Sequence, residues 1–104
     1  MAAYLHALDA LGEPTRRRVF ELLRDGPLPV GELAAQLPVS RPAVSQHLRV
    51  LEDARLVTFR RAGTRRLYEV DPQGLNELRA WVDDFWSEAL ARYKAEADRR
   101  GARA

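Results

Sequence analysis

The stretch SRPAVSQHLRVLEDARL, residues 40–56, decides how the rest of the chain reads. Ser40 offers a hydroxyl to the unpaired N–H groups that open a helix, and Pro42 fits a first turn, where its missing N–H costs nothing. At about 100° per residue, Val44, Leu48 and Leu51 share one narrow stripe, while Pro42, Ser45, Gln46 and Arg49 gather opposite it. The stripe predicts a core contact. Hydroxyl and amide side chains beside an Arg, crowded into the first turns, can hydrogen-bond base edges in a DNA major groove, so the opposite face reads as a recognition surface. It would equally suit an ordinary solvated helix, and the flanking sequence decides between the two.

Immediately upstream, a helix is predicted from about Val30 to Gln36, with Leu33 and Leu37 inward and Ala34 and Ala35 small enough for close contact. Pro38 stops it, and the chain must turn at Leu37–Val39 before Ser40 restarts. Helix, tight turn, helix is a helix-turn-helix, with Leu33, Val44, Leu48 and Leu51 where two crossing helices touch. An earlier helix is announced by Glu13 and Pro14 and closed by Gly26 and Pro27, with Val19, Phe20, Leu22 and Leu23 as its apolar face. Its Arg16, Arg17 and Arg18 sweep roughly 200° of arc, so at most one or two can face the same phosphate and the others are expected in solvent. First of all comes a short amphipathic helix with Tyr4, Leu5, Leu8 and Leu11 at helical spacing, ended by Gly12. Too short to stand alone, it is expected to lie against a long helix within a dimer. His6 reads as an ordinary surface or interface residue.

Downstream, the helical period gives way to alternation. Val57 and Phe59 alternate with Thr58 and Arg60, Ala62 to Thr64 make a turn, and Arg65 to Val70 return with Tyr68 and Val70 on one face. Arg60, Arg61, Arg65 and Arg66 crowd the tip of this hairpin. They read as phosphate or minor-groove contacts in preference to a charged edge that only discourages sheet aggregation. Asp71 and Pro72 cap and begin a last helix, predicted to reach about Asp98. Its stripe of Leu75, Leu78, Val82, Phe85, Trp86, Ala89 and Tyr93 is too long for so small a domain to cover. Packing against the same helix of a second chain would bury it, with Tyr4, Leu5 and Leu8 completing the seam. An aromatic pocket for a small apolar effector, built from Trp81, Trp86 and Tyr93, is the alternative use of these rings. Residues 99–104 read as a frayed tail, and residues 1–98 as a single DNA-binding and dimerisation domain.

Composition agrees with this reading. The 104 residues suit one domain with a modest core. The net charge of +2 conceals an asymmetry, because residues 41–70 hold seven Arg against three acids, while 1–40 and 71–104 are each −1. Cation is concentrated around the candidate recognition helix, as nucleic-acid binding requires. With no Cys there is neither a disulfide nor a thiolate metal site. No apolar run approaches a membrane span and no signal peptide is visible, so a cytoplasmic protein is expected. An enzyme would need nucleophile, acid and base converging in a cleft, and the two His residues, His6 and His47, lie far apart. A winged module that binds protein instead of DNA is the runner-up, but its reading surface should be apolar or acidic.

The order of elements, together with LGEPTRRRVFELL (11–23), GELAAQL (31–37), SRPAVSQHLRVLEDARLV (40–57) and RRAGTRRLYEVDP (60–72), resembles the ArsR-type, or ArsR/SmtB, family of winged helix-turn-helix regulators from about Leu8 to Tyr93. The resemblance implies a mainly helical fold with a small β-hairpin, dimeric through its N- and C-terminal helices. It implies a homodimeric DNA-binding regulator, usually a repressor, with Arg41, Ser45 and Gln46 reading bases and Pro42 at the same surface. His47 falls in the family's Ser-x-His-Leu pattern and reads as packing with a phosphate contact. Ser40, Arg49 and the four hairpin arginines complete the expected DNA-binding set. Departures matter too. Where the family's thiolate sensors carry cysteines this chain has Pro29 and Gly31, and its last helix has no His, while Asp83, Asp84 and Glu88 are oxygen donors pointing in different directions. The chain therefore resembles a branch that senses no metal and needs no cofactor. Arg55 stands where the family usually has Gly, which implies strain if that residue takes a positive φ, and Pro38 replaces a frequent Gly in the turn.

Overall fold

A computed structural model describes the backbone of residues 3–103 and the side chains of residues 4–101. Five helices and one hairpin follow in the order α1 (Ala3–Gly12), α2 (Pro14–Leu22), α3 (Val30–Ala35), α4 (Arg41–Asp53), β1 (Val57–Ala62), β2 (Arg65–Val70) and α5 (Pro72–Arg103). This is a winged helix-turn-helix. The strands pair antiparallel from Val57 opposite Val70 to Ala62 opposite Arg65, so the loop is Gly63–Thr64, with Gly63 at φ 65°. A positive φ at the first of two loop residues suits the right-handed twist of a hairpin, and glycine adopts it without steric cost.

The core is built on α4. Val44, Leu48 and Leu51 are wholly buried against Val19, Leu23 and Leu33, with Leu56 and Val57 closing the hairpin side. Both crossing helices thus meet at the residues their spacing predicts. One element carries no sequence signal. Leu28, between α2 and α3, exchanges two backbone hydrogen bonds with Tyr68, its N–H donating to the Tyr68 carbonyl at 2.9 Å and its carbonyl accepting at 3.0 Å. A one-residue strand has no period to detect, yet it ties the wing to the base of α3.

The N-terminal helix differs from expectation in its buried face. Ala7 and Ala10 are buried, whereas Leu5 and Leu8 remain 37% exposed. Small side chains let α1 lie close on α5 of its own chain, so an intrachain contact, with Tyr4 stacked on Trp81 at 5.4 Å, supplies the support expected of a partner. Nor are two of the three α2 arginines free in solvent, although Arg18 is exposed as expected. Arg16 Nε donates to the Ala10 carbonyl at 2.6 Å and Arg17 Nη1 to that of Leu11 at 2.8 Å. Helix ends leave carbonyls unpaired and carry partial negative charge, so these guanidiniums cap α1. At the other terminus, the helix predicted to stop near Asp98 continues to Arg103, with Arg99 and Arg100 pairing with Glu96 one turn back. Residue 104 lies outside the described residues.

The exit from α4 explains two residues. Arg55 N–H donates to the Glu52 carbonyl and Leu56 N–H to that of Leu51, which is the paired bonding of a Schellman turn. That turn needs a left-handed residue after the cap, and Arg55 supplies it at φ 59°. The strain implied by the missing glycine is therefore present. Against the same turn lies Gly74, whose N–H donates to the Arg55 carbonyl at 2.7 Å; a Cβ there would stand 2.6 Å from that oxygen. The wing side is fastened by Asp71, whose N–H reaches the Leu56 carbonyl at 2.9 Å and whose Oδ1 accepts from Gln73 N–H at 3.0 Å.

These two positions should respond oppositely. Arg55→Gly relieves a left-handed non-glycine residue and should stabilise the fold by about 1 kcal/mol or less, the relief being partly offset by glycine's greater chain entropy. Gly74→Ala forces apart two backbone segments and should cost about 1–3 kcal/mol. Urea unfolding of both variants checks the pair, and equal midpoints would refute the packing described.

Candidate nucleic-acid interface

Ser40 opens α4 as its N-cap, its hydroxyl accepting from Ala43 N–H at 3.3 Å, with Pro42 in the first turn. Because Val44, Leu48 and Leu51 are committed to the core, Pro42, Ser45, Gln46 and Arg49 are turned outward, and all four are exposed. His47 lies at the boundary. Half-buried, it places Nδ1 3.8 Å from Glu13 Oε2. Glu13 caps α2 by accepting from Arg16 N–H at 2.6 Å, and this bond is the main cause holding its carboxyl below the ordinary 4.5, against a smaller opposing effect of desolvation.

Arg41 is exposed, but its guanidinium folds back over α3. Nη2 lies 3.4 Å from where a Cβ on Gly31 would stand. It faces a cleft of ≈ 340 Å³ whose far wall is Thr64, Arg65 and Arg66 of the wing. A second cleft, of ≈ 490 Å³, runs from Ser45 and Arg49 past Glu52 and Asp53 to Arg66 and Tyr68. Arg66 lines both clefts. Its guanidinium stands 4.4 Å from the centroid of the Phe59 ring, a cation–π contact that holds the side chain beside α4. Beneath it, burial raises the Glu52 carboxyl above its ordinary value, while Arg66 pulls the other way.

The four wing arginines do not form one cluster. Cross-strand partners share a face, so Arg61 and Arg66, which pair, lie on the side of Phe59 and Tyr68. Arg60 and Arg65 lie on the opposite side, where Arg60 Nε is 3.9 Å from Glu69 Oε2. Sequence reasoning passed over Gly31, Thr64, Glu52 and Asp53 at this surface. The charge count pointed to the wing as a whole, and only the strand register could divide it.

Along α5 the expected seam is mostly open. Leu5, Leu8, Leu75, Val82, Phe85, Trp86 and Tyr93 are exposed, Phe85 at 63% and Tyr93 at 76%, and Leu90, absent from the predicted stripe, joins them. Ala89 is half-buried. Two expected members are engaged within the chain instead, Tyr4 on Trp81 and Leu78 against the core. The rings do not assemble as the aromatic-pocket alternative requires: Trp81 stacks with Tyr4 and Phe85, while Trp86 and Tyr93 stand exposed. No helix among the described residues is long and apolar enough to cross a membrane.

A family model described as a helix-turn-helix domain matches residues 11–59. The chain is 58% identical over 95 residues to the HTH-type transcriptional regulator Rv2034 of Mycobacterium tuberculosis, covering 91% of this chain and 89% of that one. It is 30% identical to the transcriptional repressor SdpR of Bacillus subtilis, covering 73% and 84% respectively. Among solved structures it is similar to the homodimeric winged helix-turn-helix DNA-binding domain of Mb0332 from Mycobacterium bovis, a possible ArsR-family regulator. That likeness has a TM-score of 0.66 and 27% identity, over 83% of this chain and 80% of the other.

The Glu13 cap has a pH signature. A carboxyl whose folded value is depressed stabilises the fold above its unfolded value and loses that contribution as pH falls through the folded one. Thermal unfolding of the wild type should therefore weaken more steeply below about pH 4.5 than that of Glu13→Ala. Parallel pH profiles for the two proteins would show that the cap contributes nothing.

Proposed function

Because the chain belongs to the ArsR-type family of winged helix-turn-helix transcriptional regulators, we propose that it is a homodimeric repressor whose two copies of α4 read an inverted-repeat operator without sensing metal. The observation that carries this reading is the outward face of Ser45, Gln46 and Arg49, on a helix whose rotation is set by its buried stripe, with Arg66 of the wing spanning the clefts beside it. Hydroxyl and amide groups there specify bases, while arginines neutralise phosphate. Ser40 and His47 are phosphate contacts in our reading, and Arg41, expected from the resemblance to read a base, is assigned to phosphate as well. Arg41 is folded toward the wing tip, where the phosphate backbone beside an occupied groove would run. On the wing, Arg65 carries no ion pair among the described residues, whereas Arg60 is partly neutralised by Glu69.

Pairing through α5 rests on the exposed apolar row from Leu75 to Tyr93 and on Leu5 and Leu8 beside it. A patch of that extent on a small domain calls for a cover, and isologous packing supplies one with the two-fold symmetry that an inverted repeat requires. The homodimeric Mb0332 domain supports it. Metal-independence rests on the absence of Cys and on an α5 without His.

Helix and wing should fail differently. Recognition helices in a two-fold pair reach half-sites about 10 base pairs apart. Gln46→Ala should cost about 1–3 kcal/mol on the cognate operator and little on scrambled DNA. Arg65→Ala should weaken both, and with one phosphate lost per subunit the slope of log K against log salt should flatten by about 1.8. Binding isotherms across a salt series, repeated with zinc and with a chelator, test the assignment. Equal weakening of all sequences by Gln46→Ala, an unchanged slope for Arg65→Ala, or a metal-induced loss of affinity would each overturn its part.

Phe85→Arg places a charge at the middle of the seam and should yield monomers with weak operator binding. Sedimentation at micromolar concentration gives the answer, and a monomeric wild type would remove the dimer from the reading.

A further inference from the structure

Two arginines between helix and wing are held in place without an ion pair. Arg41 lies back over α3, where a Cβ on Gly31 would stand 3.4 Å from its Nη2 and 3.6 Å from its Cζ. A methyl group there would be in ordinary contact, whereas a longer side chain would take the place of the guanidinium. Arg66 rests on the Phe59 ring at 4.4 Å, and Phe59 is packed in turn on Tyr68, with ring centroids 5.6 Å apart. A bare stretch of backbone and a ring face can locate a guanidinium without accepting its hydrogen bonds, so the N–H donors around its edge stay available. Neither side chain makes an ion pair among the described residues. Arg16 and Arg17, by contrast, are tied up as caps of α1, and Arg60 is paired with Glu69.

Arg41 and Arg66 meet at the same cleft of ≈ 340 Å³, and none of the residues that line it is acidic. The adjoining cleft, with Glu52 and Asp53 beside Arg49, is mixed in charge. Two like charges facing a space without a counter-ion favour an anion between them. Arg65 lines the cleft too, but from the other face of the hairpin, and is not part of the pair. A helix lying in one DNA groove and a wing beyond its edge straddle the sugar-phosphate strand between them, and this cleft opens between the first turn of α4 and the wing turn at Thr64. We infer that the cleft seats a single phosphodiester of that strand, gripped by Arg41 and Arg66 together, and that Gly31 and Phe59 are the positioning residues that aim the two guanidiniums. The inference rests on the reading of the chain as a DNA-binding regulator and adds to it one particular phosphate and two residues that act through others. Because both guanidiniums are placed before DNA arrives, less side-chain freedom is lost on binding.

A duplex selected from random sequence for wild-type binding is resynthesised with a methylphosphonate, which removes one phosphate charge, at successive positions of both half-sites. One position per half-site should stand out. Neutralising it should weaken the wild type about tenfold or more, and the double variant Arg41→Ala, Arg66→Ala by about twofold or less. Gly31→Leu and Phe59→Leu should each weaken binding of the unmodified duplex by about threefold or more. They should have no effect in the Arg41→Ala and Arg66→Ala backgrounds respectively. Gly31→Ala and Phe59→Tyr, which keep the space and the ring, should bind as the wild type does. A general loss of fold would neither respect those backgrounds nor spare the conservative variants. Selection that yields no duplex would overturn the DNA-binding reading and the seat with it. A selected duplex without a position coupled to the arginine pair overturns the seat alone, and Leu variants that weaken binding equally without the arginines overturn the roles of Gly31 and Phe59.

Discussion

Val44, Leu48 and Leu51 have no contact with water, and that single constraint governs the molecule. Three buried residues on one stripe fix the rotation of α4 about its own axis, because turning the helix by even one position would expose a Leu and bury a polar group. The outward aim of Ser45, Gln46 and Arg49 follows from packing on the opposite face. The residues that make the core are thus also the ones that set the direction of the exposed face of α4, and neither can drift without the other.

The wing is held to the helical body at three points: the Schellman turn at Arg55–Leu56, the Asp71 N–H on the Leu56 carbonyl, and the Leu28–Tyr68 bridge to the segment before α3. Together these make the hairpin a fixed extension of the helix-turn-helix. Arg66 shows the result, since its place over Phe59 and between the two clefts depends on Tyr68 being anchored from the far side by Leu28. Glu52 beneath it tempers the positive charge, so the surface between helix and wing is not uniformly basic.

The helices, hairpin and outward face of α4 were legible in the sequence because each rests on a local period or a cap: Ser40 and Asp71 cap where their residue types suggest, and Glu13 caps the helix it announces. What escaped was non-local. Arg16 and Arg17 look like a basic patch until α1 is placed beside them, and then they are its C-terminal cap. Leu5 and Leu8 have the spacing of a buried face, yet Ala7 and Ala10 take it because close approach to α5 favours small side chains over large ones. The division of the wing arginines depends on register.

The length of α5 has a consequence for how such a protein could change its target. Residues 79–100 of this helix stand almost wholly exposed, a span of roughly 33 Å at the helical rise. If two such helices cross to join two chains, their angle sets the distance between the reading heads. Over a lever of about 33 Å, a tilt of about 6° displaces the end by roughly 3.4 Å, the rise of one base pair. In such a dimer, substitutions among the apolar side chains of α5 would alter the half-site spacing that is tolerated while every residue of the proposed reading face stays the same. Evolution of operator spacing and evolution of operator sequence would then proceed on separate parts of the chain.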